Sequence, residues 1–347
     1  MAVKQSVISH IFQKVALTAI GWTLSVSVMA AYVATELPGL GVKGSSPYGV
    51  DNSGAVTGLS TTIDNKTRSF LWKNGKITDL GNITYQGSVQ SWGKKSNPAG
   101  QVTGTVSGGS YPGAYLYSDG VMKLITGGYG NGINAAGDVV GSSNSGSAFL
   151  YKDGLLTDLG TFARSTATAQ AINNAGTIVG HSADTSGNTR GFIWKNGGVT
   201  LIPPMAGNLT VAMDINDAGD VVGLTSIAAD PNTWHVFIWK NGVMTDTGIS
   251  APRTIPANGY SINNAGHVLT PGGVLINNVF TPVAAMLPPE WAQGYRPESN
   301  TFWYFPALTG MNDAGQLTGA TKVQDMTTGL LIKVVGFLLT PGTMCNK

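Results

Sequence analysis

Residues 169–203 read AQAINNAGTIVGHSADTSGNTRGFIWKNGGVTLIP, and variations of this stretch recur along the chain. A core related to Ile-Asn-x-x-Gly occurs seven times, ending at Gly54, Gly100, Gly137, Gly176, Gly219, Gly266 and Gly315. Successive glycines are about 37 to 49 residues apart, which is the repeat length of propellers and solenoids. The repetition therefore predicts a fold built from one supersecondary unit.

Each copy divides into four strand-like segments separated by two tight turns. In the copy quoted above the segments are Ala169 to Asn173, Thr177 to His181, Arg190 to Trp194 and Gly198 to Ile202. The first turn opens with Asn, whose side chain can bond the backbone two residues on, and closes with Gly, which tolerates positive φ. The second turn, Asn196-Gly197, is a hairpin dipeptide. Two such turns predict a four-stranded antiparallel meander.

A single meander of this size is marginally stable and leaves two edges unpaired. Seven meanders around one axis remove both defects, whereas an open β-solenoid would keep its ends. The last repeat ends without a fourth strand, while Ala34 to Gly41 resembles the fourth strands elsewhere. We therefore predict an all-β, seven-bladed β-propeller of four-stranded antiparallel blades, closed by an N-terminal strand in the last blade. Apolar runs such as Phe192-Ile193-Trp194 would pack between blades.

Composition excludes some classes of partner. Charged residues make up 11% of the 347 residues and the formal net charge is +2, so no positive field attracts phosphate backbones, and we expect no nucleic-acid partner. The single cysteine, Cys345, cannot form an internal disulfide. We expect a monomer.

Residues 1–30 have the composition of a signal peptide. Lys4, His10 and Lys14 precede an apolar run, and Val28-Met29-Ala30 predicts cleavage after Ala30. The mature chain, residues 31–347, would then be one propeller domain in a secreted, extracellular or periplasmic protein. The alternative is an uncleaved anchor, since Val15 to Ala34 is about long enough to span a bilayer. Membrane attachment is expected only in that case.

The repeats resemble a known family. The pattern Ile-Asn-x-x-Gly-x-Val-Val-Gly, followed by a small residue and an aromatic one, is similar to the HAF repeat of exported bacterial proteins. Ile133 to Gly141 and Ile215 to Gly223 match best, although the His-Ala-Phe tripeptide itself is absent. The resemblance covers nearly the whole mature chain and implies a repeat fold and export. It implies no catalytic residue or ligand.

Variable connections mark the face on which we expect function. Both tight turns of every meander lie on one face of a propeller, and the variable connections lie on the other, where two insertions stand out. One runs from Leu287 to Pro306 and the other from Ala228 to His235. Their aromatic and charged side chains suit carbohydrate or protein surfaces. The predicted ligand-binding residues are Trp234, His235, Glu290, Trp291, Tyr295, Arg296, Glu298, Trp303 and Tyr304. Alternatively, the longer insertion caps the central channel.

Catalytic chemistry is hard to find in the sequence. Glycoside cleavage needs two carboxylates, and only Glu290, Glu298 and Asp230 offer a pair on the variable face. We identify no catalytic triad, metal site or cofactor site. The Asn/Asp turns could ligate calcium, but hairpin chemistry already explains them. The recurring Asp79, Asp158 and Asp246 occupy equivalent outer strands, which favours a structural role such as bonding a neighbouring turn.

The sequence thus predicts a binding or scaffolding module, for glycan or a surface protein, that acts through its variable-loop face. A polysaccharide hydrolase or lyase on the same face is one alternative, and a purely structural surface or adhesion component is another.

Overall fold

The computed structural model describes residues 32–162, 164–227, 233–252, 255 and 258–342. The predicted signal segment with its cleavage site, Asp230 and Cys345 lie outside these residues. The described chain is all-β, with two single-turn 3₁₀ helices at Val283–Ala285 and Pro289–Trp291. None of its helices is long and apolar enough to cross a bilayer.

The strands follow the repeats in chain order. Those of the first four repeats, with one N-terminal strand, are β1 (Tyr32–Leu37), β2 (Ser45–Val50), β3 (Val56–Thr61), β4 (Thr67–Lys73), β5 (Lys76–Asp79), β6 (Gln90–Ser96), β7 (Val102–Ser107), β8 (Gly113–Ser118), β9 (Val121–Ile133), β10 (Val139–Ser143), β11 (Ala148–Lys152), β12 (Leu155–Gly160), β13 (Arg164–Ile172), β14 (Ile178–Asp184), β15 (Thr189–Lys195) and β16 (Gly198–Ile202). Those of the last three are β17 (Thr210–Ile215), β18 (Val221–Ser226), β19 (Trp234–Lys240), β20 (Val243–Ala251), β21 (Ser261–Ile262), β22 (Val268–Thr270), β23 (Gly273–Ile276), β24 (Val279–Pro282), β25 (Gly294–Arg296), β26 (Thr301–Trp303), β27 (Ala307–Met311), β28 (Leu317–Asp325) and β29 (Leu331–Pro341).

The predicted turn chemistry is confirmed. In the quoted repeat the Gly176 N–H donates to the Asn173 carbonyl at 3.0 Å, and Gly176 has a φ of 76°. Asn196, in the second turn, has a φ of 50°, which asparagine tolerates better than most side chains. The resulting meanders are antiparallel throughout, as in β13-β14-β15-β16.

The prediction of a seven-bladed propeller with four strands in every blade is wrong. The described strands form six sheets, of which four have four strands. The second and third repeats share one seven-stranded sheet because β9 is continuous, pairing with β8 through its first half and with β10 through its second. No connecting loop intervenes here, and the pairing passes from β8 to β10 between Gly127 and Gly128, whose φ is 132°. The last sheet has six strands because it gains β1 and an inserted hairpin, β25–β26.

Closure by an N-terminal strand is confirmed. β1 pairs antiparallel with β29, from Tyr32 opposite Pro341 to Leu37 opposite Gly336. Leu37 is 2% exposed and packs with Phe70 of the first repeat and Leu338 of the last. The two ends of the repeat series are therefore joined by both backbone pairing and apolar burial.

Buried amides connect the repeat turns into a ring. Asn97, Asn134, Asn173, Asn216, Asn263 and Asn312 each donate through Nδ2 to the backbone carbonyl at the equivalent position of the next turn, over 2.9 to 3.4 Å. The last of these bonds returns to Asp51 of the first repeat. The described repeats are thus arranged radially, as in a β-propeller.

Third-strand aromatic side chains fill the space between sheets. Phe70, Phe149, Phe192, Phe237 and Phe337 occupy equivalent positions and are at most 2% exposed. Burial of such a side chain contributes about 1.5 to 3 kcal/mol each. The prediction that these runs pack between blades is confirmed for their phenylalanines.

Candidate functional site

The longer insertion is built into the last sheet. Its hairpin, β25–β26, pairs with the end of β28, placing Thr301 opposite Asp325 and Trp303 opposite Val323. β27, the first strand of that repeat, pairs with the other half of β28. The insertion therefore extends a rigid sheet, and its residues do not line the central cavity described below.

One surface of this extension carries aromatic side chains. Tyr295 lies opposite Phe302, Phe302 opposite Gln324, and Gln324 opposite Leu331, so the four share one face of the sheet. Tyr304 follows two residues after Phe302, and the two rings meet edge to face at 5.4 Å. We call Tyr295, Phe302, Tyr304, Gln324 and Leu331 the aromatic face.

Hydrogen bonds hold the two tyrosine rings of the aromatic face in place. Tyr295 is 51% exposed and its hydroxyl donates to Asn300 Oδ1 at 2.9 Å. Tyr304 is 41% exposed and its hydroxyl donates to Gln324 Oε1. Exposed rings with few accessible rotamers lose little conformational entropy when a ligand binds.

The other predicted residues of the long insertion lie elsewhere. The Trp291 ring packs on Phe337 at 5.8 Å between centroids, where it contributes to the core. Arg296 lies on the opposite face of the extension, with its guanidinium 5.9 Å from the Trp303 ring and an Nη2–H donated to the Ala292 carbonyl. A cation–π contact of this kind stabilises a loop as readily as it binds a ligand.

The two glutamates considered for catalysis lie at the surface of the long insertion. Glu290 and Glu298 are both exposed. The only contact to Glu290 among the described bonds is from Arg296 to its backbone carbonyl, at 3.3 Å.

Trp234 and His235 begin β19, in a different repeat from the aromatic face. Trp234 packs against the core between neighbouring sheets. His235 Nδ1 lies 2.9 Å from Asp246 Oδ2, and Asp246 Oδ1 accepts the Gly248 N–H at 2.8 Å. Asp79 and Asp158 make the same bond to Gly81 and Gly160. The structural role predicted for the recurring aspartates is confirmed, and His235 is paired with one of them.

Sequence reasoning missed a cavity on the face of the ring that carries the tight turns, opposite the aromatic face. It has a volume of about 170 Å³ and opens at the centre of the ring of repeat turns. Its walls combine buried amides such as Asn134 and Asn216 with apolar side chains such as Ile172 and Ile262, and Lys95 is its one lining cation. The overlooked signal was substitution within an otherwise repeated position, because Asp51 stands where the six other turns have Asn.

The position two residues before each ring asparagine carries a charged side chain in two repeats. Lys95, of the second repeat, and Asp214, of the fifth, approach to 3.9 Å between Nζ and Oδ2. The equivalent residues of the other repeats are small: Gly49, Gly132, Ala171, Ser261 and Gly310. Burial raises the pKa of Asp214, and the Lys95 charge opposes that rise.

Comparisons with known proteins identify no family. No family model matches the chain, and no curated protein matches it. The resemblance to HAF repeats consequently stays a prediction.

Several solved structures share a similar arrangement. One is a puromycin-hydrolysing peptidase of Mycobacterium tuberculosis, with 11% identity and a TM-score of 0.49, covering 87% of this chain and 54% of the peptidase. A gluconolactonase of Xanthomonas campestris has 10% identity and a TM-score of 0.41, with 92% and 93% of the two chains covered. A lectin in complex with alpha methyl fucoside has 13% identity and a TM-score of 0.43, with 72% and 99% covered.

This chain thus spans about half the length of the peptidase.

Proposed function

We propose that the chain is an exported, non-catalytic binding module that recognises carbohydrate through the aromatic face. The observation that carries this proposal is the position of Tyr295, Phe302 and Tyr304 on one surface of a sheet, with both tyrosines more than 40% exposed. Export rests on the composition of residues 1–30, and kinship to HAF-repeat proteins rests on the repeat pattern.

The chemistry of this surface suits a sugar ring. Pyranose rings present flat C–H surfaces that pack on aromatic faces, while their hydroxyls need nearby donors and acceptors. Amide groups of Gln324 and Asn300 lie beside the two exposed tyrosines. Because the rings are on paired strands, the surface is preorganised before a ligand arrives.

A surface protein is the second candidate partner, and a neighbouring apolar segment favours it. Met326, Leu330, Leu331 and Ile332 are between 44% and 67% exposed around the turn that joins β28 to β29. Apolar side chains that cluster on a surface are typical of protein interfaces. A polysaccharide hydrolase or lyase is the alternative, and it would need the Glu290 and Glu298 carboxylates to flank the bound glycosidic bond.

A glycan array probed with residues 31–347 tests the carbohydrate proposal. We expect binding that a Tyr295→Ala, Tyr304→Ala double variant loses by at least about tenfold, equivalent to 1.4 kcal/mol. Tyr111→Ala is the matched control, because Tyr111 is 60% exposed and outside the aromatic face. Binding that all three proteins share would contradict the proposed site. If the protein is well folded and binds no glycan, carbohydrate recognition is contradicted, and a surface protein becomes the candidate partner.

A further inference from the structure

The central cavity lies on the face opposite the aromatic face, and its properties are independent of the proposed carbohydrate site. Its volume is about 170 Å³. A small ligand, or one side chain of a larger one, would fit this space.

The ring of amides around the cavity is interrupted at one junction. Six turns donate an asparagine Nδ2–H to the next carbonyl, but the first turn has Asp51, which has no amide to donate to Asn97. In its place Ser96 donates its hydroxyl to Asp51 Oδ2 at 2.9 Å. The Asn97 carbonyl accepts only its own turn bond, from Gly100 N–H, among the described bonds. This junction therefore has two acceptors, Asp51 Oδ2 and the Asn97 carbonyl. Each of the other six junctions has an amide donor and a carbonyl acceptor.

Asp51 is a buried carboxylate without a cationic partner among the described residues. Asp51 is 6% exposed, and its Oδ1 accepts the N–H groups of Ser53 and Ala55 and the Ser53 hydroxyl. None of the ion pairs of the described residues involves Asp51; Lys95, which also lines the cavity, is paired with Asp214. A positive charge brought close to a buried carboxyl group interacts with it favourably.

The outer rim above the junction is also open. Over five turns, from Asn174 round to Asn52, the rim is a belt of alternating Asn and Asp side chains. Within it Asn264 Nδ2 donates to both Asp217 Oδ2 and Asp313 Oδ2, at 3.0 and 2.8 Å. Asp313 is bonded in turn to Asn52. The next turn has Pro98, which carries neither an N–H nor a side-chain oxygen to continue the belt.

The rim of the cavity carries acidic side chains, as does the junction at Asp51. Asp217 and Asp313 are exposed, line the cavity and make no ion pair with a described residue. Burial alone would raise the pKa of Asp217, but hydrogen bonds from Asn174 and Asn264 outweigh it and lower the pKa. The entrance is therefore negatively charged at neutral pH.

We propose that this cavity binds a small organic cation, an ammonium or guanidinium group, whose N–H groups bridge Asp51 Oδ2 and the Asn97 carbonyl. Such a group supplies the missing donor of the ring and a positive charge for the buried carboxylate. The cation is carried either by a free amine or by the side chain of a basic peptide. Asp217 and Asp313 attract it to the entrance.

The test is a calorimetric titration with n-butylammonium and with neutral n-butanol, which has a similar shape. We expect the ammonium to bind and butanol to bind at least tenfold more weakly to the same unmodified protein. Equal binding of the two probes, or no binding of butylammonium, would overturn the proposal. The comparison needs no variant and says nothing about glycan binding.

Asp51→Asn provides the matched variant. Asparagine at this position completes the ring as in the other six repeats, so this variant should melt at a higher temperature and lose butylammonium binding by at least tenfold. Asp153→Asn makes the same charge change at an exposed hairpin turn on the same face, and it should bind as the unmodified protein does. If Asp51→Asn still binds butylammonium as tightly as the unmodified protein, the assignment of the Asp51–Asn97 junction as the binding site is overturned.

Two peptides distinguish the sources of the cation. A Gly-Lys-Gly peptide with blocked termini is compared with the same peptide carrying norleucine. Binding of the lysine peptide more tightly than butylammonium supports a side chain as the natural ligand, and weaker binding supports a free amine. Binding of the norleucine peptide as tightly as the lysine peptide would overturn cation recognition.

Discussion

Lys95 Nζ lies 3.9 Å from Asp214 Oδ2, although the two residues belong to the second and fifth repeats. Because these repeats are not neighbours in the ring, the pair spans the central channel. The Asp214 carboxylate also accepts the Ile262 N–H at 3.2 Å. One ion pair therefore links non-adjacent repeats just below the cavity.

Loss of Lys95 should expose a pH dependence of stability. Burial raises the pKa of Asp214 and Lys95 opposes this, so Lys95→Met should raise the pKa further. A carboxyl with a raised folded-state pKa contributes stability below its unfolded pKa of about 4, which is lost as pH rises through the folded value. We expect the variant to lose about 1 to 2 kcal/mol between pH 4 and 8 relative to the unmodified protein. Urea unfolding at several pH values measures this.

Asp214→Asn in the Lys95→Met background is the control for that experiment. It removes the titrating group, so the added pH dependence should disappear. If Lys95→Met alone follows the pH profile of the unmodified protein, the channel pair has no electrostatic role in stability.

The amide ring should be a major contributor to stability. Asn216→Ala removes the donor to the Asn263 carbonyl and the acceptor for the Asp220 N–H, both buried. We expect a loss of about 1 to 3 kcal/mol in the free energy of unfolding. Asn196→Gly, in an exposed hairpin turn with positive φ, should change little. Similar losses in both variants would show that the ring bonds have no special weight.

Ring closure by β1 predicts a large effect at Leu37. Leu37→Ala should cost about 2 to 4 kcal/mol, because its side chain is 2% exposed between the first and last repeats. Glu36→Ala, on the same strand, removes a partly exposed ion pair with Lys333 and should cost less than about 1 kcal/mol. Thermal or denaturant melts compare the two. A Leu37→Ala melt equal to that of the unmodified protein would contradict closure by this strand.

His181 should make the protein sensitive to mild acid. Its Nδ1 is buried without a hydrogen-bond partner among the residues that the structure describes, and burial lowers the pKa of the ring to about 4. Between pH 6.5 and 4 the unfolded chain binds the proton more readily, so stability falls by up to about 3 kcal/mol as pH drops through this window. His181→Ser should flatten the profile there. An unchanged slope in the variant would assign acid sensitivity to other groups.

The sequence predicts those parts of the fold that depend on local chemistry. Asn173 and Gly176 specify a turn by backbone conformation, and the resemblance of residues 34–41 to other fourth strands predicts the pairing of β1 with β29. The shared strand β9 was not predicted, because a continuous link leaves no turn residues to mark it. The short interval from Gly100 to Gly137, 37 residues by direct count, was its only trace.

The candidate sites were harder to predict. Of the nine predicted binding residues, Tyr295 and Tyr304 lie on the aromatic face, while Trp291 and Trp234 pack against the core. Exposed and buried aromatic residues look alike in a sequence, because cross-strand pairing decides which surface each one occupies. The cavity is lined by turns of all seven repeats. The Lys95–Asp214 pair joins positions 119 residues apart in the chain, and nothing local in the sequence marks such a pairing.

The most direct test of the central claim is a crystal structure of the chain with the saccharide that binds most tightly on the array. We expect a sugar ring stacked against Tyr295 or Tyr304, with its hydroxyls bonded to Gln324 or Asn300. A saccharide bound in the central cavity, or against the loops of another repeat with the aromatic face empty, would contradict it.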